Sequence, residues 1–99
     1  MKREDFLAIT NYINWKCRCV LSDREIKNYT ETYVSEFNTM IEEGVLNDTI
    51  KFLILEALWD VFKRDETEKT LRDFSLDEAI RILEIYSDFA KNELKNCQK

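Results

Sequence analysis

A strongly apolar stretch lies in the middle of the chain, from Ile50 to Phe62, and it reads IKFLILEALWDVF. Only Lys51, Glu56 and Asp60 interrupt it with charge. The stretch is too short to cross a bilayer as a helix. A helix that is apolar on nearly every side is typically buried among other helices. The pattern therefore predicts a central helix around which the rest of the chain packs.

Three faces can be assigned on this central helix. Six apolar residues recur at steps of three and four and predict the core face: Ile50, Leu53, Ile54, Ala57, Leu58 and Val61. Phe52, Leu55 and Trp59 form a second apolar face, and Glu56, Asp60 and Lys63 form one narrow polar strip. Two interpretations stay open for Phe52 and Trp59: they are core residues, or they are exposed aromatics of a binding surface.

The first helix is predicted from about Arg3 to Val20. Its core stripe is Phe6, Ile9, Ile13, Cys17 and Val20. A second stripe, well round the helix, is formed by Tyr12, Trp15 and Cys19. Two stripes favour a helix wedged between two neighbours, and the alternative is that Tyr12 and Trp15 face a partner.

The second helix begins at Ser22, where the sequence Ser-Asp-Arg-Glu is a capping box, and it ends at about Glu43. Gly44 stands where a helix end favours a left-handed residue. Seven residues are predicted to face the core: Ile26, Tyr29, Tyr33, Val34, Phe37, Met40 and Ile41. Val45 and Leu46 are predicted to tuck under the other helices.

The second half of the chain predicts the central helix and one more. The central helix starts at Asn47 or Asp48 and ends at about Arg64. Residues 65–70 read as a loop or a short irregular helix, anchored beyond it by Leu71 and Phe74. A second capping box at Ser75 opens a last helix that runs to about Leu94. Nine of its residues are predicted to face the core: Leu76, Ala79, Ile80, Ile82, Leu83, Tyr86, Phe89, Ala90 and Leu94.

The composition, together with these predicted helices, indicates the fold class. The chain has no Pro and one Gly in 99 residues, whereas β-sandwiches and barrels need frequent Gly- and Pro-rich turns. Hydrophobic residues make up 44% and charged residues 35%, as in globular proteins. We therefore expect a single all-α domain over residues 1–99, arranged as an antiparallel four-helix bundle.

The chemistry of the sequence argues against catalysis. The chain has no His, its one Gly cannot form a phosphate-binding loop, and no Glu-x-x-His motif is possible. Cys17 and Cys19 resemble half of a metal site, but residues two apart on a helix point to opposite sides. With Cys97 they make an odd number of cysteines. We expect no enzyme activity, no metal and no cofactor.

Charge is distributed unevenly and bears on the partner. Residues 28–60 hold seven acids and one base, a net charge of −6, whereas the whole chain carries −5. Such a field favours a basic protein partner over nucleic acid, and a solvated face that promotes solubility is the open alternative. No helix is basic enough to read DNA. The first residues, MKREDF, lack the apolar core of a signal peptide, so we expect a cytoplasmic protein with reduced thiols and no membrane partner.

The leading candidate site is a partner-binding surface in which acids lie beside aromatics. Its seven residues are Phe52, Glu56, Trp59 and Asp60 on the central helix, followed by Asp65, Glu66 and Glu68. Acids steer the encounter with a basic partner, and aromatics supply the buried centre of an interface. A second candidate is the group of acids around the Gly44 turn: Glu42, Glu43 and Asp48.

Three segments resemble the colicin D immunity family and related small immunity proteins of contact-dependent inhibition systems. They are LSDREIKNYTETYVSEF (residues 21–37), LEALWDVFKRDE (residues 55–66) and FSLDEAIRILEIY (residues 74–86). The shared features are a helix opening on Ser, a helix ending in an apolar-Asp-apolar-Phe pattern, an acidic connection and a last helix opened by Asp-Glu. The segment with Trp15 to Cys19 has no counterpart.

The resemblance implies a cytoplasmic immunity protein that binds a cognate nuclease toxin, often one that cuts tRNA, and covers its basic active-site groove with acids. Carried onto this chain, those acids are Asp60, Asp65, Glu66 and Glu68. The alternative hypothesis is a phage-derived or regulatory helical protein that inhibits another nucleic-acid enzyme by charge mimicry.

Overall fold

A computed structural model of the chain describes residues 1–72 and 74–97, with the backbone alone at Cys97. All regular secondary structure in these residues is helical, which confirms the all-α prediction. Five helices follow one another: α1 (Arg3–Lys16), α2 (Asp23–Glu43), α3 (Asp48–Phe62), α4 (Thr67–Leu71) and α5 (Leu76–Cys97). The short α4 lies in the segment for which a loop or a short irregular helix was predicted.

The helix ends are set by the predicted capping residues. The Ser22 Oγ accepts a hydrogen bond from the Glu25 amide at 3.3 Å, and the Glu25 carboxylate accepts one from the Ser22 amide. At the start of α3 the Asn47 Oδ1 accepts from the Ile50 amide at 2.9 Å. Gly44 ends α2 with a φ of 67°, a left-handed conformation that costs a residue without Cβ little.

The four long helices pack in a closed circuit. α1 packs most extensively against α5 and α2, and α3 packs against α5 and, over a smaller area, against α2. The rings of Phe6 and Phe37 meet edge to face with centroids 5.4 Å apart, and the Thr10 and Thr30 hydroxyls are 3.2 Å apart. The thin α2–α3 contact leaves the groove described below.

The centre of the molecule is the predicted core face of α3. Ile50, Leu53, Ile54 and Ala57 are fully buried, and Leu58 nearly so. From α5, four predicted residues meet them: Ala79, Leu83, Tyr86 and Ala90. Since large apolar side chains buried on several helices form one contiguous cluster, the described helices share a single core.

α1 is shorter than the sequence pattern predicted. It ends at Lys16, so Cys17 and Val20, which were predicted to lie on its core stripe, are both exposed, Val20 at 75%. These two predictions are wrong. On the second stripe, Tyr12 is buried against the rings of Tyr86 and Phe89, as the wedged-helix interpretation requires. Trp15, on the same stripe, is 40% exposed, and Cys19 is exposed too, so the interpretation holds for Tyr12 alone.

The early end of α1 has a local cause. Arg18 and Cys19 adopt left-handed backbone conformations, with φ of 65° and 58°, which no L-residue can continue as a right-handed helix. The Asn14 side chain then holds both backbone groups of Leu21: its Oδ1 accepts from the Leu21 amide at 2.8 Å, and its Nδ2 donates to the Leu21 carbonyl at 3.4 Å. A six-residue turn is thereby closed by a side chain.

Several other residues predicted to be buried lie at the surface. They are Tyr29 and Ile41 on α2, Val45 in the turn, Leu71 at the end of α4 and Leu76 at the start of α5. Leu46 and Phe74, predicted with them, are buried. α3 ends at Phe62 because Lys63 takes a left-handed conformation, with φ of 54°. Helical periodicity predicts which face of a helix is buried but not where that face ends, and these residues lie at its boundaries.

Candidate functional site

The outer side of α3 carries Phe52 and Trp59, two aromatic residues whose environment the sequence left open. Phe52 is 45% exposed and Trp59 is 60% exposed, so neither is a core residue. They are seven positions apart, which places them on one face of the helix about two turns from each other. A largely exposed Trp is uncommon on a surface without a binding role, since its indole is large and apolar.

Glu56 lies between these two aromatics and is partly exposed. Its Oε2 is 3.4 Å from the Lys16 Nζ of α1. Each side chain of this ion pair keeps about a third of its surface in water, so the pair contributes little to stability. Glu56 therefore remains accessible at the surface.

Asp60 has a different environment from the one predicted. It is only 5% exposed, and both its carboxylate oxygens are occupied: the Lys16 Nζ is 2.5 Å from Oδ1, and the Tyr86 hydroxyl donates to Oδ2 at 2.8 Å. The polar strip of α3 turns inward here, toward α1 and α5. The prediction of Asp60 as an exposed partner-binding acid is thus at odds with its burial.

The groups around Asp60 are held in fixed protonation states. Burial disfavours the charged form of Lys16, but the hydrogen bond to Asp60 and the negative charges of Asp60 and Glu56 together outweigh it, so the pKa of Lys16 is raised. Burial and the hydrogen bond to Asp60 raise the pKa of Tyr86 strongly. Because both groups keep their protons at neutral pH, this network joins three helices rather than transferring protons.

Beyond α3, the three remaining predicted acids surround one cleft. This cleft around α4 has a volume of about 450 Å³. Its lining holds four carboxylates, two basic side chains and two other residues: Asp65, Glu66, Glu68, Glu78, Lys69, Arg72, Phe74 and Ser75. Asp65, Glu66 and Glu68 are therefore brought together as predicted, and Glu78 joins them.

Local hydrogen bonds fix the shape of this α4 cleft. The Asp65 carboxylate accepts from both the amide and the hydroxyl of Thr67, which lowers the pKa of Asp65 and keeps it charged. Glu66 pairs with Arg64 at 2.7 Å. The Lys69 ammonium lies 3.5 Å from Glu78 and 5.1 Å from the centre of the Phe74 ring. The cleft thus carries four carboxylates and two basic side chains above the buried Phe74 ring, and the carboxylates predominate.

Two site residues escaped the sequence interpretation. Glu78 was recognised as a capping residue, and its amide indeed bonds to the Ser75 Oγ at 3.2 Å, but its position beside the cleft depends on the path of the chain. Phe62, 40% exposed, lines a smaller cavity that shares Glu66, Lys69 and Phe74 with the cleft. Phe62 therefore connects the outer side of α3 with the α4 cleft.

The second predicted candidate lies at the opposite end of α3. Glu42, Glu43 and Asp48 are all exposed around the Gly44 turn. Two exposed apolar residues are near them in sequence, Ile41 and Val45, but neither is aromatic. This group offers charge without a large aromatic centre.

Neither a metal-binding cluster nor a membrane-spanning helix is found in the described residues. Across residues 1–72 and 74–96 no cluster of three or more Cys, Asp and Glu side chains could hold a metal ion. Cys17 and Cys19 are free and exposed, and the side chain of Cys97 lies outside the described residues. None of the helices in the described part of the chain is long and apolar enough to cross a membrane.

Comparisons with protein-family models, with curated proteins and with solved structures give no match to this chain. The function must therefore be argued from the surface itself. The surface that draws together most of the predicted site is the outer side of α3 with the α4 cleft, formed by Phe52, Glu56, Trp59, Phe62 and the cleft residues. We call it the α3–α4 surface.

Proposed function

We propose that this chain is an inhibitor that binds a basic protein partner through the α3–α4 surface. The observation that carries the proposal is the 60% exposure of Trp59 on the helix that leads into the α4 cleft. Burying an exposed Trp is among the commonest sources of binding energy at interfaces, and acids around it speed the approach of a basic partner. Protein–protein interfaces commonly have a hydrophobic centre and a polar rim, and the exposed Trp59 beside the carboxylates of the cleft has this arrangement.

In its specific form, the proposal is a cytoplasmic immunity protein that blocks the RNA-binding groove of a nuclease toxin, with a tRNA-cutting toxin as the expected partner. The resemblance of residues 21–37, 55–66 and 74–86 to the colicin D immunity family is one support. The other is charge, because the carboxylates around α4 would stand where the toxin binds phosphates. Asp60 is left out of this contact because it is buried.

A second candidate function is charge mimicry by a phage-derived or regulatory protein that inhibits another nucleic-acid enzyme. The net charge of −6 over residues 28–60 favours it equally. The two candidates differ in the gene next to this one, since an immunity gene directly follows its toxin gene.

The arrangement proposed for the scaffold is an antiparallel four-helix bundle in one domain. Contacts of α1 support it: Phe6 meets Phe37 and Thr10 meets Thr30 on α2, and Asn14 meets Leu21 in the turn just before α2. Rising numbers on α1 pair with falling numbers on α2. The circuit of contacts through α3 and α5 is that of a bundle with short connections.

The deciding experiment uses the gene immediately upstream. Its C-terminal domain is expressed in cells with and without this chain, and growth and copurification are scored. The proposal expects growth arrest that this chain relieves, together with a stable complex. A harmless neighbour, or arrest without rescue and binding, would remove the immunity form of the proposal and leave the charge-mimic form.

Charge substitutions locate the interface in that complex. A triple variant at the cleft, Asp65→Asn with Glu66→Gln and Glu68→Gln, should weaken the Kd by about 100-fold or more. The matched control changes the same number of charges at the Gly44 turn: Glu42→Gln with Glu43→Gln and Asp48→Asn. Equal weakening by both triples would mean that only overall charge matters.

Truncation of the exposed indole tests the aromatic centre separately. Trp59→Ala should weaken the complex by about 30-fold or more while leaving the free chain folded, because the side chain is mostly exposed. Val20→Ala, which truncates an even more exposed apolar residue on the α1–α2 turn, serves as the control. An unchanged Kd in Trp59→Ala, measured by calorimetry, would exclude Trp59 from the interface.

A further inference from the structure

A groove separate from the α4 cleft opens where α2 and α3 lie over α1. Its volume is about 260 Å³. Six residues line it: Thr10 and Ile13 of α1, Leu21 of the turn, Tyr29 and Tyr33 of α2, and Phe52 of α3. Five of the six are apolar or aromatic. The small α2–α3 contact is what leaves this space open.

The groove has an apolar floor and aromatic walls. The one hydroxyl on its floor, that of Thr10, is already bonded to the Phe6 carbonyl at 2.7 Å and to Thr30. The Tyr29 and Tyr33 rings stack with centroids 6.4 Å apart, and Tyr29 is 46% exposed. With Phe52 half-exposed opposite, flat π-faces are offered to a ligand from two helices.

Carboxylates border this aromatic groove. Glu36 follows Tyr33 by one turn on α2, and Glu56 follows Phe52 by one turn on α3, so both carboxylates lie beside residues that line the groove. Burial raises the pKa of Tyr33, and the charges of Tyr29, Glu36 and Glu56 add to the effect. In the described part of the molecule the Glu36 Oε2 is buried without a hydrogen-bond partner. A buried carboxylate oxygen is costly unless a donor or cation reaches it.

Size and charge together select the occupant. Small-molecule sites usually measure about 300–1,000 Å³, so this groove suits a single long side chain better than a cofactor. Arginine combines an apolar stem with a planar cation that stacks on aromatic rings and pairs with carboxylates. Leucine would fill the groove but leave the Glu36 Oε2 without a partner.

We propose that the groove binds an arginine side chain of the protein partner, with the guanidinium stacked on the tyrosine rings and paired with Glu36, while Glu56, already paired with Lys16, adds negative charge beside it. The inference rests on the proposed function, because it takes the partner to be basic, and it adds a second contact on the same side of α3. Phe52 would then belong to the arginine groove, and Trp59 to the contact near the α4 cleft.

The test is an NMR titration of the isotope-labelled chain with the blocked tripeptide acetyl-Gly-Arg-Gly-amide. Two control peptides replace arginine by citrulline, which has the same shape without the charge, or by leucine. The arginine peptide should shift the ring signals of Tyr29, Tyr33 and Phe52. It should also bind at least about fivefold more tightly than either control.

Variants separate the contributions of ring and charge. Tyr29→Ala, Phe52→Ala and Glu36→Gln should each weaken the arginine peptide about threefold or more. Val45→Ala, which truncates an exposed apolar residue in the Gly44 turn, is the control and should leave the affinity unchanged. Circular dichroism establishes that each variant is folded before it is scored.

Three results would overturn the inference: equal binding of the citrulline or leucine peptide, shifts confined to the α4 cleft, or no shifts at millimolar peptide. The proposed function is tested independently by the cleft triple variant and Trp59→Ala. If those weaken the partner complex while the arginine peptide fails to bind, the α3–α4 surface stands and the groove assignment falls.

Discussion

Two acids that are close in sequence, Asp60 and Asp65, have opposite environments in this protein. Asp60 is buried against Lys16 and Tyr86 within the helices, whereas Asp65, five residues later, lies exposed beside the α4 cleft. The two residues have the same side chain, but the Asp60 carboxylate joins three helices, whereas the Asp65 carboxylate remains available to a partner. The number of acids along a sequence indicates the sign of the electrostatic field around the protein, but burial decides which of these acids a partner can contact.

The difference also separates stability from binding on α3. Its inner side holds the core and the Asp60 network, and its outer side presents Phe52, Glu56 and Trp59. Changes on the inner side should therefore cost folding free energy, and changes on the outer side should cost affinity. The following variants test this division, from the largest expected effect to the smallest.

Removal of the Asp60 carboxylate should have the largest effect. Asp60→Ala takes the partner from the buried Tyr86 hydroxyl and from the Lys16 ammonium, so the free energy of unfolding should fall by roughly 3–5 kcal/mol. Urea denaturation at neutral pH measures it. Asp60→Asn keeps a hydrogen-bond acceptor for Tyr86 and should cost less.

Glu68→Gln is the matched control at the cleft, since it neutralises an exposed acid. It should change the free energy of unfolding by less than about 0.5 kcal/mol. If Asp60→Ala and Glu68→Gln cost the same, the contrast between the inner network and the outer surface would be wrong.

Loss of a single hydrogen bond should have an intermediate effect. Tyr86→Phe removes the hydroxyl that donates to Asp60 at 2.8 Å and leaves the ring in place against Tyr12. We expect a loss of about 1–3 kcal/mol, because a buried carboxylate oxygen loses its donor. Combining it with Asp60→Ala in a double-mutant cycle should give much less than the sum, since the two changes break one interaction. Additive costs would show that the two residues act separately.

Asp5 is intermediate in burial between Asp60 and Asp65. Its contribution to the free energy of unfolding should be the smallest of those predicted here. Its side chain is about a quarter exposed and lies 2.7 Å from Lys91. The hydrogen bond from Lys91 lowers the pKa of Asp5 below its usual value of about 3.9. The stability that this carboxylate contributes is therefore present above pH 4 to 5 and is lost as the pH falls through the lowered pKa.

Urea denaturation between about pH 2 and pH 6 measures this contribution. Asp5→Asn should flatten the acid limb of the stability curve by a few tenths of a kcal/mol. Lys91→Met should flatten it as well, because it removes the group that lowers the pKa. An acid limb unchanged in both variants would show that the pair contributes nothing.

The features that sequence predicted best are local or periodic. The capping box at Ser22, the Asn47 cap and the Gly44 turn each depend on residues within a few positions, and all three are formed. The core face of α3 follows from spacing alone, and five of its six predicted residues are buried. The all-α class follows from these elements together with the lack of proline.

The features that sequence missed depend on contacts distant along the chain. The burial of Asp60 needs Lys16 and Tyr86, 44 and 26 residues away, and no pattern near Asp60 indicates either one. The end of α1 was missed because left-handed residues are normally signalled by glycine, and here they are Arg18 and Cys19. The resemblance to immunity proteins stays a prediction.

The two hydrogen bonds from the Asn14 side chain to the Leu21 backbone, here called the Asn14 clamp, let the sequence of the α1–α2 turn vary. Because one side chain holds both backbone groups of Leu21, the entry into α2 is fixed without any help from the side chains of residues 17–20. That turn therefore suits protein engineering: Cys19 can carry a dye, and an inserted loop or epitope tag can replace Val20 with the helices still in register. The two hydrogen bonds between Asn14 and Leu21 thus hold the ends of the turn together, and the residues between them can be replaced.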